Sequence, residues 1–570
     1  MLRQGRERKD DPGRAWVREG SAVMANEPKT GCGDRGFLKF CRVTLTWLCI
    51  VLFVGMAAMN LLYTGWTDST QGISAQEFID LRRDSLLLFL PAAVGLLWLF
   101  RRARRAADPI QTRDLARRIC WFLFFVGAIW ALLVDMPPRA DQSAVLELSV
   151  QWLNGDLSSY DLGNYLYNFP YQSGIVALLA LCGRLLGVGK YMPIQILNAG
   201  LLALTFWGLY RIAALLLPRD SDDGRSVLLL SLGAWCGLMY STFVYGNVPS
   251  LVLAVLGLWM QLHWQMEGGK LRWLVGSGIC LGYSVLFKSF SLIFVMAQAI
   301  LLVLHLIRTR DKRVLAWLLA VLLAWQGSNA LLNGWVSRHY GGELNDGAPM
   351  VGTIAMGLQP NEVGWRAPGW YNGYNINVYK GAGYDRAEAS RQAKDYIRGR
   401  VREFAHDPGM AWAFFRDKTL SQWAEPTYQG FWIACSGNRP LWLEKLFVGP
   451  INTVLVWLMN WYQSLIWVCA AVWIIARRRT ATLEQLLPGL VILGGFLFQL
   501  FWEGKGQYTL TYFLLALPYA AAGIQLLLGL GQKKSPQGGG HGGQAAEQPE
   551  YSVELNPARS GKIRRVNHRT

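Results

Sequence analysis

Long apolar runs recur along the chain, and they constrain its fold more than any other feature. A helix that crosses a bilayer needs about 20 mostly apolar residues, and thirteen segments come close to this requirement. They lie near 43–63, 85–100, 117–134, 172–188, 191–217, 226–244, 248–266, 272–288, 290–308, 314–335, 450–476, 485–502 and 508–530. Charged residues make up only 16% of the chain, against about 25% in soluble domains. We therefore predict an all-α polytopic membrane protein with about 12–14 transmembrane helices, and not a soluble enzyme or a disordered chain.

The net charge of +18 is concentrated where apolar runs end. Lys and Arg outnumber Asp and Glu by ten to six in 1–42, by seven to two in 101–118 and by seven to three in 531–570. Residues 477–479 are a further run of three arginines. Such basic flanks are typical of the cytoplasmic side of a membrane protein. Topology thus explains the charge, and we expect the membrane but no nucleic acid among the partners.

The basic flanks also predict the topology. With both termini in the cytoplasm the number of crossings is even, so one of the thirteen segments must be split, re-entrant or unable to span, and we expect it between 172 and 308. The two long polar loops then share the non-cytoplasmic side, where we expect the chemistry. The predicted divisions are a cytoplasmic basic segment 1–42, two accessory helices with a basic loop 43–116, a transmembrane core 117–335 with the first external loop 135–171, an external cap 336–449, carboxy-terminal helices 450–530 and a cytoplasmic flexible basic tail 531–570.

The cap 336–449 is predicted to be mainly helical. Apolar residues recur every four positions on a charged background from about Asp385 to Phe404, which indicates one amphipathic helix. A second helix is predicted from Pro408, whose fixed φ suits a first turn, to Trp423.

An acid early in the first external loop is the leading candidate for a catalytic group. Asp141 closely follows the apolar segment 117–134. A carboxylate at the hydrocarbon boundary is partly desolvated, and this suits it to accept a proton from a hydroxyl group. The alternatives are a solvated loop acid or the N-cap of a helix that begins at Gln142. Asp156 and Asp161 are the next acids to consider in this loop.

The order of elements around this acid resembles the GT-C superfamily of membrane glycosyltransferases, which includes protein O-mannosyltransferases and the lipid A aminoarabinose transferase. The matching residues are Asp141, then Ala144 through Gly155 and Asp156, then Pro170 with Gln172, Ser173 and Gly174, and then 195–198. The resemblance covers 117–335 well and 336–449 in outline, and two predicted helices precede it.

The resemblance implies transfer of a sugar from a polyprenyl-phosphate donor to an acceptor hydroxyl on the non-cytoplasmic face, with inversion. Asp141 would deprotonate the acceptor, which could be a glycan, a lipid or a protein, and no nucleotide pocket would be needed. Tyr160, Asp161, Tyr171 and Gln172 of the first loop would bind substrate. The basic flanks and the resemblance together favour a bacterial plasma membrane with an external active site, and an endoplasmic-reticulum membrane would have the same topology.

Two departures from the family pattern concern the donor phosphate. Phe169 stands where relatives often have a lysine before the proline, so Tyr171 and Gln172 would offer hydrogen bonds there. Asn247 stands where relatives often have an acid, and it could bind phosphate or sugar without charge. A metal-bridged phosphate is therefore less expected than in those relatives. A divalent metal stays an open alternative, but the sequence offers no metal-ligand cluster to support it, so we assign no cofactor.

Cations must then bind the phosphate, and the candidates are Arg139, Lys288, His339 and Arg366. Lys288 stands between two apolar runs, where an ionisable residue is functional by default. The alternative is a lysine at a helix end whose ammonium group reaches the interface.

Several further residues have both a functional and a structural interpretation. Trp365, Trp370 and Tyr371, which flank Arg366, could stack on sugar faces or anchor a loop at the membrane interface. Glu425 could bind substrate hydroxyl groups or end a helix without a catalytic role. Residues 220–222 match the DxD motif of nucleotide-sugar transferases, but no alternating strand–helix domain surrounds them.

The competing prediction is a transporter or flippase of lipid-linked sugars, for which many helices and Lys288 would also serve. Transporters commonly contain two related halves, whereas here the cap divides ten predicted helices from three and no repeat is visible. A third hypothesis, a non-catalytic scaffold, requires that Asp141 be both exposed and replaceable.

Overall fold

The computed structural model describes residues 32–67, 79–217, 224–360, 367–434 and 440–530. Some residues singled out in the sequence lie outside this part of the chain. They are Trp365, Arg366, the motif at 220–222, most of the amino-terminal segment and the tail 531–570.

Within the described ranges, nine helices are long and apolar enough to cross a membrane. They are Gly36–Leu62, Leu86–Ala107, Thr112–Val134, Met192–Leu216, Ser289–Thr309, Val314–Tyr340, Gly449–Ala476, Leu483–Phe501 and Leu510–Gly529. Three more predicted segments form helices that are shorter or more polar, namely Pro170–Leu186, Leu271–Phe287 and Asn247–Met266. The all-α polytopic membrane fold is therefore confirmed, although fewer helices reach this standard than the predicted number of about 12–14.

The first half of the chain contributes fourteen helices, and α13 continues into α14 through a π-helical turn at Leu323–Gly327. They are α1 (Cys32–Leu62), α2 (Leu86–Ala107), α3 (Thr112–Val134), α4 (Asp141–Leu153), α5 (Tyr165–Asn168), α6 (Ser173–Leu186), α7 (Met192–Leu216), α8 (Arg225–Ser231), α9 (Trp235–Met239), α10 (Asn247–Met266), α11 (Leu271–Phe287), α12 (Leu292–Thr309), α13 (Val314–Leu322) and α14 (Ser328–Tyr340).

The second half contributes nine helices. They are α15 (Met350–Met356), α16 (Tyr374–Gly381), α17 (Arg386–His406), α18 (Pro408–Trp423), α19 (Gly430–Ile433), α20 (Leu441–Glu444), α21 (Gly449–Ala476), α22 (Leu483–Phe501) and α23 (Leu510–Leu530). Single 3-10 turns lie at Ser158–Tyr160, Pro170–Gln172, Tyr240–Thr242, Ser289–Ser291 and Gly506–Tyr508.

The predicted segment 226–244 is not one helix. The chain forms α8, turns, forms the short helix α9 and ends in a 3-10 turn. The carbonyl of Leu230, near the end of α8, accepts hydrogen bonds from the Gly233 amide at 2.9 Å and from the Tyr462 hydroxyl at 2.7 Å, so Tyr462 contributes to the stability of the break. The segment lies between 172 and 308, where Pro170–Leu186 and Leu271–Phe287 are also shorter than a full span, so the topology of this interval stays a prediction.

Neighbouring helices pack in sequence through the first half of the bundle: α3 against α7, α7 against α10, α10 against α11, and α11 against α13. Helix α1 packs against α21 and α22 instead. Its Phe53 ring lies 5.9 Å from that of Trp467 and 5.4 Å from that of Tyr519. The first predicted accessory helix is therefore built into the core of the carboxy-terminal helices.

A two-stranded antiparallel sheet, which the sequence analysis did not predict, follows α1. Strand β1 (Tyr63–Thr67) pairs with β2 (Ile79–Arg83), with Gly65 opposite Leu81. The Gly65 amide donates to the Ala424 carbonyl at 2.8 Å, just beyond α18. Asp84, after β2, accepts hydrogen bonds from Thr64 and from Asn460 of α21. The hairpin thus joins α1 to the cap and to the carboxy-terminal helices.

Both predicted cap helices are confirmed. Asp385 accepts hydrogen bonds from the amides of Ala387 and Glu388, so it caps α17. Helix α18 runs from Pro408 to Trp423 as predicted. The chain that follows α18 does not lie on the surface of the cap. Residues 424–434 are buried against the helices of the bundle.

Candidate functional site

The approach to Asp141 is conformationally strained. Asp135, which ends α3, and Ala140 have φ angles of 42° and 50°, in the left-handed region that non-glycine residues occupy at a cost of roughly 1–3 kcal/mol. Helix α4 begins at Asp141 itself, and Ala140 supplies no side-chain cap. Asp141 is therefore not the N-cap of a helix starting at Gln142. Its side chain is exposed, so the structure does not show the partial desolvation that the sequence analysis expected, and the carboxylate lies at the first turn of α4.

A chain of hydrogen bonds leads to the carboxylate of Asp141. Gln172 Nε2 donates to the Tyr245 hydroxyl at 2.5 Å. The Tyr245 hydroxyl bonds in turn to Tyr165, which bonds to Asp141. Burial first, and then the charge of Asp141, raise the pKa of Tyr165, so this hydroxyl stays protonated and donates to the carboxylate. Residues 165–172 of the first external loop and the turn at Tyr245 thus fix the position of one acid.

Two glycines allow these loops to meet beside Lys288. A Cβ atom on Gly174, at the start of α6, would clash with the carbonyl of Leu286. A Cβ atom on Gly246, before α10, would clash with the carbonyl of Phe287. Both backbones therefore contact the end of α11, immediately before Lys288.

The ammonium group of Lys288 lies close to two aromatic rings and farther from three charged side chains. Its Nζ is 4.1 Å from the ring centre of Tyr245 and 5.7 Å from that of Tyr508. It interacts electrostatically with Asp141, Glu503 and Lys505, and it forms no direct ion pair within the described chain. An ammonium group in this position is available to an anionic ligand.

The segment between α22 and α23 lies near Asp141 and Lys288 and forms one cluster of charged side chains with them. The sequence analysis did not single out this segment. It reads Glu503-Gly504-Lys505-Gly506-Gln507-Tyr508. The Tyr508 hydroxyl donates to the buried carboxylate of Glu503. Lys505 Nζ lies 5.0 Å from the ring centre of Tyr371. The signal was present, because ionisable residues interrupt two apolar runs here as Lys288 does.

Lys418 of α18 holds the start of this segment in place. Its buried ammonium group donates to the carbonyls of Gly357, Leu500 and Trp502, the last two at 3.1 and 2.7 Å. Burial lowers the pKa of Lys418 to about 7. Since Trp502 immediately precedes Glu503, Lys418 is a positioning residue for the cluster.

The buried segment 424–434 supports the other end of the same loop. Glu425 accepts hydrogen bonds from Thr427, including its amide at 3.0 Å, and from the amide of Gln429. Gln429 Oε1 accepts from the Gln507 amide at 3.1 Å. Burial raises the pKa of Glu425 to about 7. The structure thus places the Glu425 carboxylate in its own turn, as a support for the loop.

Some of the predicted binding residues meet in the cluster. Gln172 and the half-exposed Tyr171 reach it from the first loop, and Tyr171 interacts electrostatically with Asp141, Glu503 and Tyr371. Asn247 lies beside Tyr245 with its buried Oδ1 lacking a hydrogen-bond partner among the described residues.

Other predicted residues have structural partners instead. Trp370 is buried and donates to Ser421 at 2.8 Å, so its ring packs beneath the loop and offers no open face for a sugar. The guanidinium group of Arg139 lies 4.0 Å from the ring centre of Trp432 and donates to its carbonyl.

Two first-loop residues and His339 also lie in structural contacts. The Tyr160 hydroxyl hydrogen-bonds to Ser173 at 2.7 Å, and Asp161 accepts from Tyr340 at 2.8 Å. His339 hydrogen-bonds to the Trp335 carbonyl on its own helix at 2.8 Å.

The cluster therefore combines two carboxylates, two ammonium groups and several phenols at one end of the bundle. Such a set can accept a proton from a hydroxyl and stabilise a leaving phosphate. In the described residues no group of three or more His, Cys, Asp and Glu side chains could hold a metal ion.

Comparisons with known proteins add nothing to this picture. No protein-family model, curated protein or solved structure matches the chain. The resemblance to the GT-C superfamily therefore rests on the residues quoted above.

Proposed function

We propose that the chain is a GT-C-type membrane glycosyltransferase, which moves a sugar from a polyprenyl-phosphate donor to an acceptor hydroxyl on the non-cytoplasmic face. One observation carries this proposal. Asp141 and Lys288, singled out on independent grounds, interact within one cluster of charged and phenolic side chains. A proton acceptor next to cations for a phosphate is the arrangement that such a transfer needs.

In the proposed reaction Asp141 takes the proton of the acceptor hydroxyl as its oxygen attacks the anomeric carbon. The bond from that carbon to the phosphate oxygen breaks, and both bonding electrons leave with the polyprenyl phosphate. Attack from the opposite side inverts the anomeric configuration. Lys288 and Lys505 stabilise the charge of the leaving phosphate, and the hydrogen-bond chain from Gln172 orients Asp141.

In this proposal the lipid chain and the sugar of the donor contact different parts of the protein. A long-chain lipid donor enters sideways from the bilayer, so its phosphate stays near the end of α11. The exposed rings of Tyr171 and Tyr371 stack on the sugar. A glycan, a lipid or a protein in the envelope of a bacterial plasma membrane would supply the acceptor.

The proposal is tested with purified protein in proteoliposomes, supplied with a radiolabelled pool of polyprenyl-phosphate sugars and a membrane extract. We expect label to pass to the acceptor fraction. A protein that transfers no label and instead moves the labelled donor across the liposome membrane would be a flippase, and the glycosyltransferase proposal would fail.

A further inference from the structure

A large cavity lies at the opposite end of the bundle from Asp141. Its volume is about 1260 Å³, above the roughly 300–1,000 Å³ of ordinary small-molecule pockets. Its lining includes Arg113 and Arg117 from the first turns of α3, whereas Asp141 follows the last turn of that helix. A helix rises about 1.5 Å per residue, so α3 separates the two sites by roughly 30 Å.

Three guanidinium groups and one carboxylate line this cavity. Arg211 lies 5.3 Å from the ring centre of Trp207 and 4.9 Å from that of Trp259, and it makes no hydrogen bond or ion pair with the described part of the chain. Arg113 likewise has no such partner there. The carboxylate of Glu267 lies 3.0 Å from His263. Arg117 pairs with Asp114 at 2.9 Å. The excess of positive charge in the cavity therefore comes from Arg113 and Arg211.

The rest of the cavity lining is apolar, and some of its side chains are exposed on the outer surface of the helix bundle. Trp121 is 57% exposed and Leu204 is 39% exposed, and both belong to helices long enough to cross a membrane. Exposed apolar side chains on such helices face lipid chains. Phe124 and Gly200 form part of the wall behind them. A soluble anion would match only the arginines, whereas a phospholipid matches both the charge and the apolar wall.

We infer that this cavity binds one anionic phospholipid, with its phosphate between Arg113 and Arg211 and an acyl chain along Trp121 and Leu204. Basic pockets between transmembrane helices are a recurrent site for anionic head groups. The site does not depend on the proposed glycosyl transfer, since it shares no residue with the Asp141 cluster.

Native mass spectrometry of the full chain in detergent tests this inference, with phosphatidylglycerol and phosphatidylcholine of identical acyl chains as probes. Two arginines at the contribution typical of a basic residue near anionic lipid give an expected preference of about 30-fold for phosphatidylglycerol. The double variant Arg113→Gln/Arg211→Gln should lose that preference. Arg272→Gln should retain it, because Arg272 also stacks on a tryptophan, at 5.4 Å from Trp273, but does not line the cavity.

A second variant keeps the charges and removes the space. Gly200→Leu should fill the cavity, because an added Cβ there meets only ordinary contacts with Phe124, and binding of both lipids should fall. Equal binding of both lipids by the unmodified protein would overturn the inference, as would a preference that survives the double variant. Displacement of bound lipid by inorganic phosphate alone would also overturn it, because the cavity would then be a site for a soluble anion.

Discussion

Two lysines should respond in opposite ways to replacement by methionine, which has a similar length and no charge. Lys418 donates to three backbone carbonyls, so its ammonium group is part of the fold. Lys288 lies over two tyrosine rings without a direct ion pair in the described chain. We expect Lys418→Met to destabilise the protein, and Lys288→Met to weaken donor binding at little cost in stability.

The magnitudes follow from these contacts. A buried carbonyl left without a donor costs about 1–3 kcal/mol, so losing Lys418 should cost roughly 3 kcal/mol or more. A hydrogen bond to a charged group contributes about 1.5–3 kcal/mol. At about 1.4 kcal/mol per factor of ten, loss of the Lys288 contact to the donor phosphate should raise the KM for donor about 10- to 150-fold.

The assay compares thermal unfolding midpoints in detergent with donor titrations of the transfer rate. Lys190→Met is the control, because Lys190 is an exposed lysine at the same end of the bundle. The Lys418 variant should unfold several degrees lower, and the Lys288 variant should unfold near the unmodified protein. A Lys288 variant with unchanged KM and a lowered midpoint would refute the reasoning, because the ammonium group would then serve the fold and not the donor.

Three further outcomes are expected. Tyr245→Phe breaks the hydrogen-bond chain to Asp141, so kcat should fall up to about tenfold with an unchanged KM for donor, measured by steady-state kinetics; a change confined to KM would contradict the positioning role. Glu425 has a pKa raised from 4.5 to about 7, so its contribution to stability is complete below pH 4.5 and is lost as pH rises through about 7. The unfolding midpoint should therefore fall between pH 5 and pH 8, and Glu425→Gln should remove part of that fall; an identical pH profile in the variant would refute this. Gly246→Ala should abolish transfer because its Cβ would clash with Phe287, whereas Gly399→Ala, where a Cβ meets open space, should leave transfer unchanged.

Local signals in the sequence predicted the local structure well. The four-residue spacing after Asp385 and the proline at 408 each mark a helix, and both helices begin where these signals place them. The long apolar runs likewise predicted most of the helices in the bundle. Such signals depend on neighbouring residues, so no knowledge of the tertiary fold is needed to interpret them.

Features that depend on distant contacts were not predictable in the same way. At the break after α8, Tyr462 supplies a hydrogen bond to Leu230 from another helix. The hairpin after α1 is held by contacts to the chain near Ala424. Neither Tyr462 nor Ala424 carries a pattern that points to its partner.

The candidate site was predicted only in part, because some of its residues are brought together by contacts between distant parts of the chain. Asp141 and Lys288 stand out because a charge at the edge of an apolar run is visible in sequence. Glu503 and Lys505 carry the same signal, but their segment was taken as the junction between two spans. Lys418 gave no signal, because only the fold reveals that its ammonium group binds the carbonyls that precede Glu503.

The central claim is that Asp141 is the base in a sugar transfer, and a matched pair of variants tests it most directly. Transfer from a radiolabelled polyprenyl-phosphate sugar is measured for the unmodified protein, for Asp141→Asn and for Asp161→Asn, whose carboxylate in the same loop bonds to Tyr340. We expect Asp141→Asn to lose at least about 100-fold in rate, within the range of a general base, and Asp161→Asn to lose far less. Equal transfer by the unmodified protein and Asp141→Asn would contradict the account.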